Sequence, residues 1–550
     1  MSRKTVAKKS KKRLRTASAG RHWWQRETGQ DLLWAAGLTL LAWVHRIFFL
    51  LSNRDRDWPF TIFYQGDAQT FFLHARALLA GELYDEGIPF HPPGFPYLLS
   101  WLHSFFGAGA ETATVPHRSI KIMLALIASF AVGLLFLLAK PYVGRLAAAL
   151  ASLLVTYHFG HYVISIAPVG EGVYVTLLLA ALLLWSRRFD HALAAPSGEA
   201  ESRGPSHRLR DGLLLGVLTG ALTLLRAESI LIVLLLVSIG LWRWGSEAWR
   251  IRVEGGRPTF ERLAPWLLVG VGAVLVIAPW TWRNYRALSD FNQRMAGQLE
   301  ENLPTFVPVT IYGPINLALA NQASADGSFS PEALTGDGGA SLDLTRGKHL
   351  EWLLHGDRIA WDWISQHPGD FASLVIAKWR LSAQVFSLGF LQENWPAGLD
   401  GIRRPVDLFV PDERASGWWW LPLLAVGAVL AWRRRESRRY LFVTALVTLC
   451  WLAVTALFYG YVRLALLYLP LWAVLAVLPV AELLHKAWKR LSPPAWSGIA
   501  FAAVFIGGLL VGEWIGASAD RNYKASASST VDGHHLNPDD EIRLELIDSE

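Results

Sequence analysis

Apolar runs recur along the chain from Leu32 to Ile515, separated by short basic stretches and by two long mixed ones. Runs of this length and purity match the hydrophobic thickness of a bilayer better than a soluble core. Eleven spans are expected, with cores near 32–51, 118–138, 146–164, 170–186, 211–225, 229–242, 263–282, 417–432, 440–458, 464–484 and 497–515. The connections test this count. Segments 187–210, 243–262, 433–439 and 485–496 are all rich in Lys and Arg, as is the N-terminal tail. With the N-terminus cytoplasmic, eleven spans put every one of these basic segments on the cytoplasmic side, as the distribution of Lys and Arg in membrane proteins requires.

The stretch 211–242 decides the parity. It is apolar apart from Asp211, Arg226 and Glu228. Read as one span, it would place the basic loops on its two sides in opposite compartments; read as a hairpin of two helices, it keeps them together. Halves of about 15 residues reach only about 22 Å, short of a core about 30 Å thick. The tip holding Arg226 and Glu228 is therefore expected below the outer surface, at the floor of a water-accessible cavity.

Two long segments fall outside, 52–117 and 283–417. In the first, Phe71, Phe72, Ala75, Leu78 and Leu79 follow helical spacing, which predicts an amphipathic helix over 68–80 lying along the membrane surface. Asp67 stands just before it, where a short acidic side chain also serves as an N-cap. His91-Pro92-Pro93-Gly94 forms a rigid turn into a further apolar stretch. The second segment opens with a Gly/Asp/Ser-rich surface loop. Helical periodicities follow at 346–366 and 370–391, the latter an interfacial helix carrying Lys378 and Arg380.

Composition sharpens this picture. The chain is 52% hydrophobic, with mean hydropathy +0.28 over 550 residues. Its net charge of +7 is unevenly placed: residues 1–30 hold ten Lys/Arg against one acid, Glu27. That tail is too polar to fold alone and reads as a disordered cytoplasmic anchor touching anionic lipid headgroups. No aromatic or fold motif accompanies its charge, so nucleic acid is not the expected partner. The apolar run that follows is long enough to span, and no small-residue cleavage site ends it, so no cleavable signal is expected. Residues 31–515 form one membrane domain and 516–550 a polar tail outside. The single cysteine, Cys450, excludes an internal disulfide. Tryptophans gather at run edges, where indoles favour the headgroup region.

Several segments resemble one family. YQGDAQTFFLHARALLAGELYDEGIPFHPPGFPYLLSWLHSFFG is similar to the first outer loop of the polyprenyl-phosphate-sugar-dependent glycosyltransferases, which include protein O-mannosyltransferases and lipid A aminoarabinose transferases. HYVISIAPVGEGVYVTLLLAALLLW resembles their third-to-fourth-span segment, and GVLTGALTLLRAESILIVLLL their charged hairpin. PWTWRNY, GPINLALAN and ISQHPGDFASLVIAKWR are similar to the large loop of bacterial members. YGYVRLALLYLPLWAVLAV resembles a late span with an outer-face arginine. The resemblance covers roughly residues 60–480 and implies an all-α polytopic membrane protein of GT-C type.

It further implies transfer of a sugar from a polyprenyl-phosphate donor to a protein, lipid or glycan acceptor on the outer face of a bacterial inner membrane. Asp67 matches the family's catalytic base and Glu171 its second acidic position. Arg463 resembles the family's phosphate-binding arginine, and Arg226, Glu228, His91, Lys378 and Arg380 are further candidates to bind donor phosphate or sugar. The chemistry fits these residue types. The leaving group is already a phosphate, so a carboxylate to take the acceptor proton and cations to hold the phosphate suffice. Each residue also has a plainer reading: an N-cap for Asp67, a helix start for Glu171, a structural ion pair for Arg226 and Glu228, snorkelling for Lys378 and Arg380. Arg283 and Arg286 read as anchors ending a span. No cofactor is required. Asp55 and Asp57 form a DxD pattern of the kind that binds a divalent metal in oligosaccharide transferases, a weak candidate here, and none of the histidines has convincing ligand spacing with another. The rival functions are a lipid-linked glycan polymerase or ligase, and a transporter or flippase, which would call for charges at mid-membrane depth and related halves.

Overall fold

A computed structural model describes residues 27–52, 68–107, 109, 118–189, 205–255, 263–330, 332–335, 342–386 and 420–490. Asp55, Asp57, Asp67, the span expected at 497–515 and both terminal tails lie outside the described residues, apart from 27–30 of the first tail.

The described residues hold helices and no strands. In chain order they are α1 (Glu27–Ser52), α2 (Gln69–Ala80), α3 (Gly94–Phe105), α4 (Arg118–Val143), α5 (Arg145–Tyr157), α6 (Phe159–Ile166), α7 (Glu171–Arg188), α8 (Pro205–Leu225), α9 (Ile230–Val253) and α10 (Ala264–Arg294). There follow α11 (Gly313–Ala320), α12 (Glu332–Thr335), α13 (Gly347–Gln366), α14 (Pro368–Ala383), α15 (Trp420–Arg433), α16 (Arg435–Leu457), α17 (Val462–Leu466) and α18 (Leu469–Arg490). Helices thus stand at every expected span that the described residues cover. Five are long and apolar enough to cross a membrane, or six if α5 and α6 count as one broken span. This is a multi-pass membrane protein.

The bundle confirms the hairpin. Glycines 212, 216 and 220 recur every four residues and so share one face of α8. A Cβ at Gly216 would collide with the Val269 carbonyl and lie 2.9 Å from the Gly272 Cα, and one at Gly220 would lie 3.0 Å from the Ala273 Cα. Only glycine permits this backbone-to-backbone packing of α8 alongside α10, the small-residue contact that holds helices together where no hydrophobic drive separates them from lipid. Residue 212 meets Pro265, while Gly240 of α9 meets Trp266. The start of α8 and the later half of α9 therefore lie at the same end, and the turn between them lies at the other. The basic segments gather accordingly. Phe189 packs on Trp266 at 5.0 Å, Ser437 bonds the Tyr142 carbonyl, and Arg434 pairs with Glu482, so the described edges of the first two basic loops meet, and so do those of the last two.

Three expectations change. The helices flanking the tip are longer than expected, 21 and 24 residues, or about 32 and 36 Å. Length alone no longer buries the tip below the surface. The span expected at 146–164 is broken: α5 and α6 meet at 74°, around His158 in an extended conformation. And α10 does not end near Arg283. It continues as one helix of 31 residues, about 46 Å, past a bilayer core of about 30 Å.

That projecting half of α10 seeds a second core. Leu288 packs with Leu303, Val307, Ile311, Ile315, Leu350, Leu353 and Tyr459, and with Ile88 from the first long segment. The segment 283–417 is thus more than a set of loops on a membrane domain: its described part has an interior of its own, joined to the first segment. Arg283 fastens that joint. It donates to the Tyr84 carbonyl at 2.7 Å and stacks over the Trp280 ring at 4.8 Å.

Candidate functional site

Three separate stretches bring charge to one place at the tip end of the bundle. Glu171 is the first residue of α7, after a turn in which Ala167 and Val169 pack against Ala68, the residue that follows Asp67 in sequence. Arg226 and Glu228 sit in the 3-10 turn region between α8 and α9. Arg463 comes from α17. Arg226 donates from Nε to Glu228 Oε1 at 2.6 Å and from Nη1 to Glu171 Oε1 at 3.1 Å. Arg463 Nε approaches the same Glu171 oxygen at 3.2 Å. One carboxylate oxygen therefore holds two guanidinium groups, and a second carboxylate balances them. The Glu171 side chain is only 4% exposed. Its other oxygen, Oε2, is buried and has no hydrogen-bond partner among the described residues.

Neighbours lock this cluster. Ser229, just past the tip, donates to the Tyr174 hydroxyl at 2.9 Å, one turn along α7 from Glu171. Gly94, at the start of α3, lies so close to the tip that a Cβ there would come within 2.8 Å of the Leu224 carbonyl. A Cβ at Gly170 would touch the Phe95 side chain at 3.2 Å. The first long segment is thus packed directly onto the Glu171 turn and the hairpin tip. The four charges that sequence placed in three distant motifs are one cluster.

The other expected site residues lie elsewhere. Lys378 is buried in α14, where its ammonium donates to Asn321 Oδ1 at 2.8 Å and to the Ala456 carbonyl at 3.1 Å. Burial pushes its pKa down to about 7. Asn321 in turn donates to the Leu457 carbonyl at 2.7 Å, so the pair fastens α11 and α14 to the end of α16. Amphipathic spacing suggested a cation reaching for lipid phosphate; the helix instead turns this lysine inward to satisfy carbonyls left open where α16 ends. Arg380 is exposed two residues on. Arg286 stacks over Trp282 at 5.1 Å.

His91 has a different set of neighbours from the one expected. The chain from α2 to α3 turns at Gly81 and Gly87, both at positive φ, and at Asp85, the one non-glycine residue of positive φ (52°) among the described residues. This folds His74 of α2, Asp85 and His91 together. His91 Nδ1 lies 3.1 Å from Asp85 Oδ2, and His74 Nε2 lies 3.4 Å from Asp85 Oδ1 and 3.3 Å from His91 Nδ1. The His91 backbone N–H also donates to Asp85 at 2.9 Å. Burial alone would raise the Asp85 pKa. The hydrogen bond and charge of His91, then the charge of His74, outweigh it and hold the carboxyl below its ordinary value. Burial pushes His74 down to about 4, so that ring is neutral at pH 7. Sequence reasoning missed this grouping because the residues are 11 and 6 apart across two turns; the only local signal was the Gly-rich turn chemistry around Tyr84-Asp85. Tyr312, at the entry to α11, lies 6.4 Å from the His91 ring and within electrostatic reach of Arg226, so the grouping stands beside the charged cluster.

No protein-family model matches the chain, and no curated protein matches it in sequence. Solved structures similar to it include the oligosaccharyltransferase of Archaeoglobus fulgidus in the apo form, at 13% identity and TM-score 0.48, with 93% of this chain and 59% of that one covered. The same archaeal enzyme, AglB, in complex with an inhibitory peptide and a dolichol-phosphate gives 13% identity and TM-score 0.46 over the same shares. ArnT from Cupriavidus metallidurans bound to undecaprenyl phosphate gives 14% identity and TM-score 0.33, with 83% of this chain and 79% of that one covered. The chain spans 59% of the length of the oligosaccharyltransferase it is similar to. Likeness at this level carries no activity from those proteins to this one.

Proposed function

We propose that this chain is a membrane glycosyltransferase of GT-C type, which moves a sugar from a polyprenyl-phosphate donor to an acceptor on the outer face of a bacterial inner membrane. In this reading the N-terminus is cytoplasmic, the C-terminal tail lies outside, and the tip end of the bundle faces outward. The observation that carries the proposal is the buried Glu171 carboxylate, with two guanidiniums on one oxygen and no partner for the other among the described residues. A buried polar group without a partner is costly, and its persistence points to a ligand that supplies the missing hydrogen bond. A sugar hydroxyl or an acceptor O–H is a donor of the right kind. Arg226 and Arg463 would take the phosphate beside it, since guanidinium matches phosphate geometry bidentately.

The reaction then needs one displacement. The acceptor oxygen attacks the anomeric carbon, its proton passes to a carboxylate, and the bond from that carbon to the donor phosphate oxygen breaks. Polyprenyl phosphate leaves with the electron pair, and the arginines stabilise its charge. Attack opposite the leaving group inverts the sugar. Asp67, one peptide bond before Ala68, is the proposed base, by its match to the family motif. Glu171 orders the arginines and receives a hydroxyl on Oε2.

The test uses purified full-length protein in lipid nanodiscs, a panel of radiolabelled polyprenyl-phosphate monosaccharides, and membrane extract as acceptor source. Transfer or donor hydrolysis with at least one donor, lowered by at least about 100-fold in Glu171→Gln, is expected, in line with loss of charge stabilisation at a transition state. No turnover with any donor would overturn the transferase reading and favour a transporter.

A further inference from the structure

We infer that His74, Asp85 and His91 form a binding site for a divalent transition metal, zinc by preference. The site would staple the loop between α2 and α3, and it stands apart from the transferase reading. Among the described residues this is a group of three metal-ligating side chains whose ligand atoms fall within 4.8 Å of one another.

The two ring nitrogens stand 3.3 Å apart, and each also meets the Asp85 carboxylate, His74 Nε2 at 3.4 Å and His91 Nδ1 at 3.1 Å. A cation held among these atoms is met by a lone pair from each of the three groups.

The spacing also suits a particular cation. Ligands about 2.05 Å from a tetrahedral zinc are separated by about 3.3 Å, whereas adjacent ligands of an octahedral ion at about 2.1 Å stand about 3.0 Å apart. The two imidazole nitrogens stand 3.3 Å apart, at the tetrahedral edge. The two imidazoles meet different carboxylate oxygens, as around a chelating carboxylate. Two nitrogens and a carboxylate suit zinc over the hard cations magnesium and calcium.

The fold spends effort on this geometry. Asp85 holds a left-handed conformation that a residue with a Cβ adopts at a cost. The Tyr84 hydroxyl pins the His91 and Pro92 carbonyls at 3.2 Å each, and Arg283 anchors the Tyr84 carbonyl. These bonds fix the backbone of two of the ligands before any metal arrives. His74 and Asp85 are 13% and 11% exposed, but His91 is 33% exposed, which leaves an accessible side for a fourth ligand, water or substrate.

The experiment measures metal directly, on the full chain purified with a histidine-free affinity tag. Protein stripped with a chelator is reloaded with zinc or cobalt, dialysed, and analysed for bound metal per chain. About one zinc per chain is expected, with the strong visible absorption of tetrahedral cobalt in the cobalt form. His74→Gln and Asp85→Asn should each weaken retention by at least tenfold, while His355→Gln, at an exposed histidine beside Glu301, should not. Should the two variants fail to fold, X-ray absorption of zinc-loaded wild type decides: scattering from two imidazoles supports the site. Wild type that retains no metal, variants that retain it undiminished, or a zinc signal without imidazole scattering would each overturn the proposal.

Discussion

Replacing Arg226 by methionine tests whether the charges at the hairpin tip act as one unit. The substitution keeps most of the side-chain volume but removes the group that bridges two carboxylates, at 2.6 Å to Glu228 and 3.1 Å to Glu171. Glu171, 4% exposed, keeps Arg463; Glu228, 24% exposed, loses its cation. Removing one partner from a fully buried pair costs about 3–5 kcal/mol, because a charge is stranded. Arg226 is 20% exposed, so water recovers part of that, and about 2–3 kcal/mol is expected. Arg226→Lys keeps the charge, but one ammonium cannot replace both arms of the fork, so about 1–2 kcal/mol should still be lost. Adding Glu228→Gln to Arg226→Met removes the stranded charge and should recover about 1 kcal/mol, a coupling that independent sites would not show. The assay is thermal unfolding in detergent followed by tryptophan fluorescence, with wild type, Arg226→Met, Arg226→Lys, Glu228→Gln and the double variant side by side. Arg226→Met melting with wild type, or a double variant that is simply additive, would refute the coupled cluster.

Other outcomes follow from the same coordinates. Gly216→Val should separate α8 from α10, since even a Cβ would lie 2.9 Å from the Gly272 Cα; a loss of at least about 2–3 kcal/mol is expected, seen as a lower melting temperature and poor recovery from membranes. Undiminished stability would show that the helices do not meet at these glycines. Lys378 gives a pH signature. Its pKa is about 7 when folded against 10.5 ordinarily, so between those values the unfolded chain binds more protons and stability should rise with pH, by up to about 1.4 kcal/mol per unit. Below pH 7 both forms hold the proton and the contribution is flat. Melting from pH 6 to 9 should show this rise in wild type and lose it in Lys378→Met; equal slopes would contradict the buried position.

What the sequence conveyed depended on how local the signal was. The hairpin was legible because Arg226 and Glu228 interrupt an otherwise apolar stretch between two basic loops. The amphipathic helix over 68–80 emerged as Gln69–Ala80 because its apolar period is regular. The break at His158 left no such mark: no proline interrupts YHFGHY, yet α5 and α6 meet at 74°. Lys378 was misread because an amphipathic face shows which side a lysine shares, not whether that side is turned to lipid or to open carbonyls. His74, Asp85 and His91 were invisible as a group because their meeting depends on three residues at positive φ. The convergence of Glu171, Arg226 and Arg463 was suggested by family resemblance alone, since no spacing rule links positions 171, 226 and 463.

The most direct test of the proposed chemistry compares wild type with Asp67→Asn for sugar transfer from the active polyprenyl-phosphate donor, with donor binding measured in parallel. The account expects intact binding with transfer reduced at least about 100-fold, the scale of a lost general base. Equal transfer by both proteins would contradict Asp67 as the base and shift that role to Glu171.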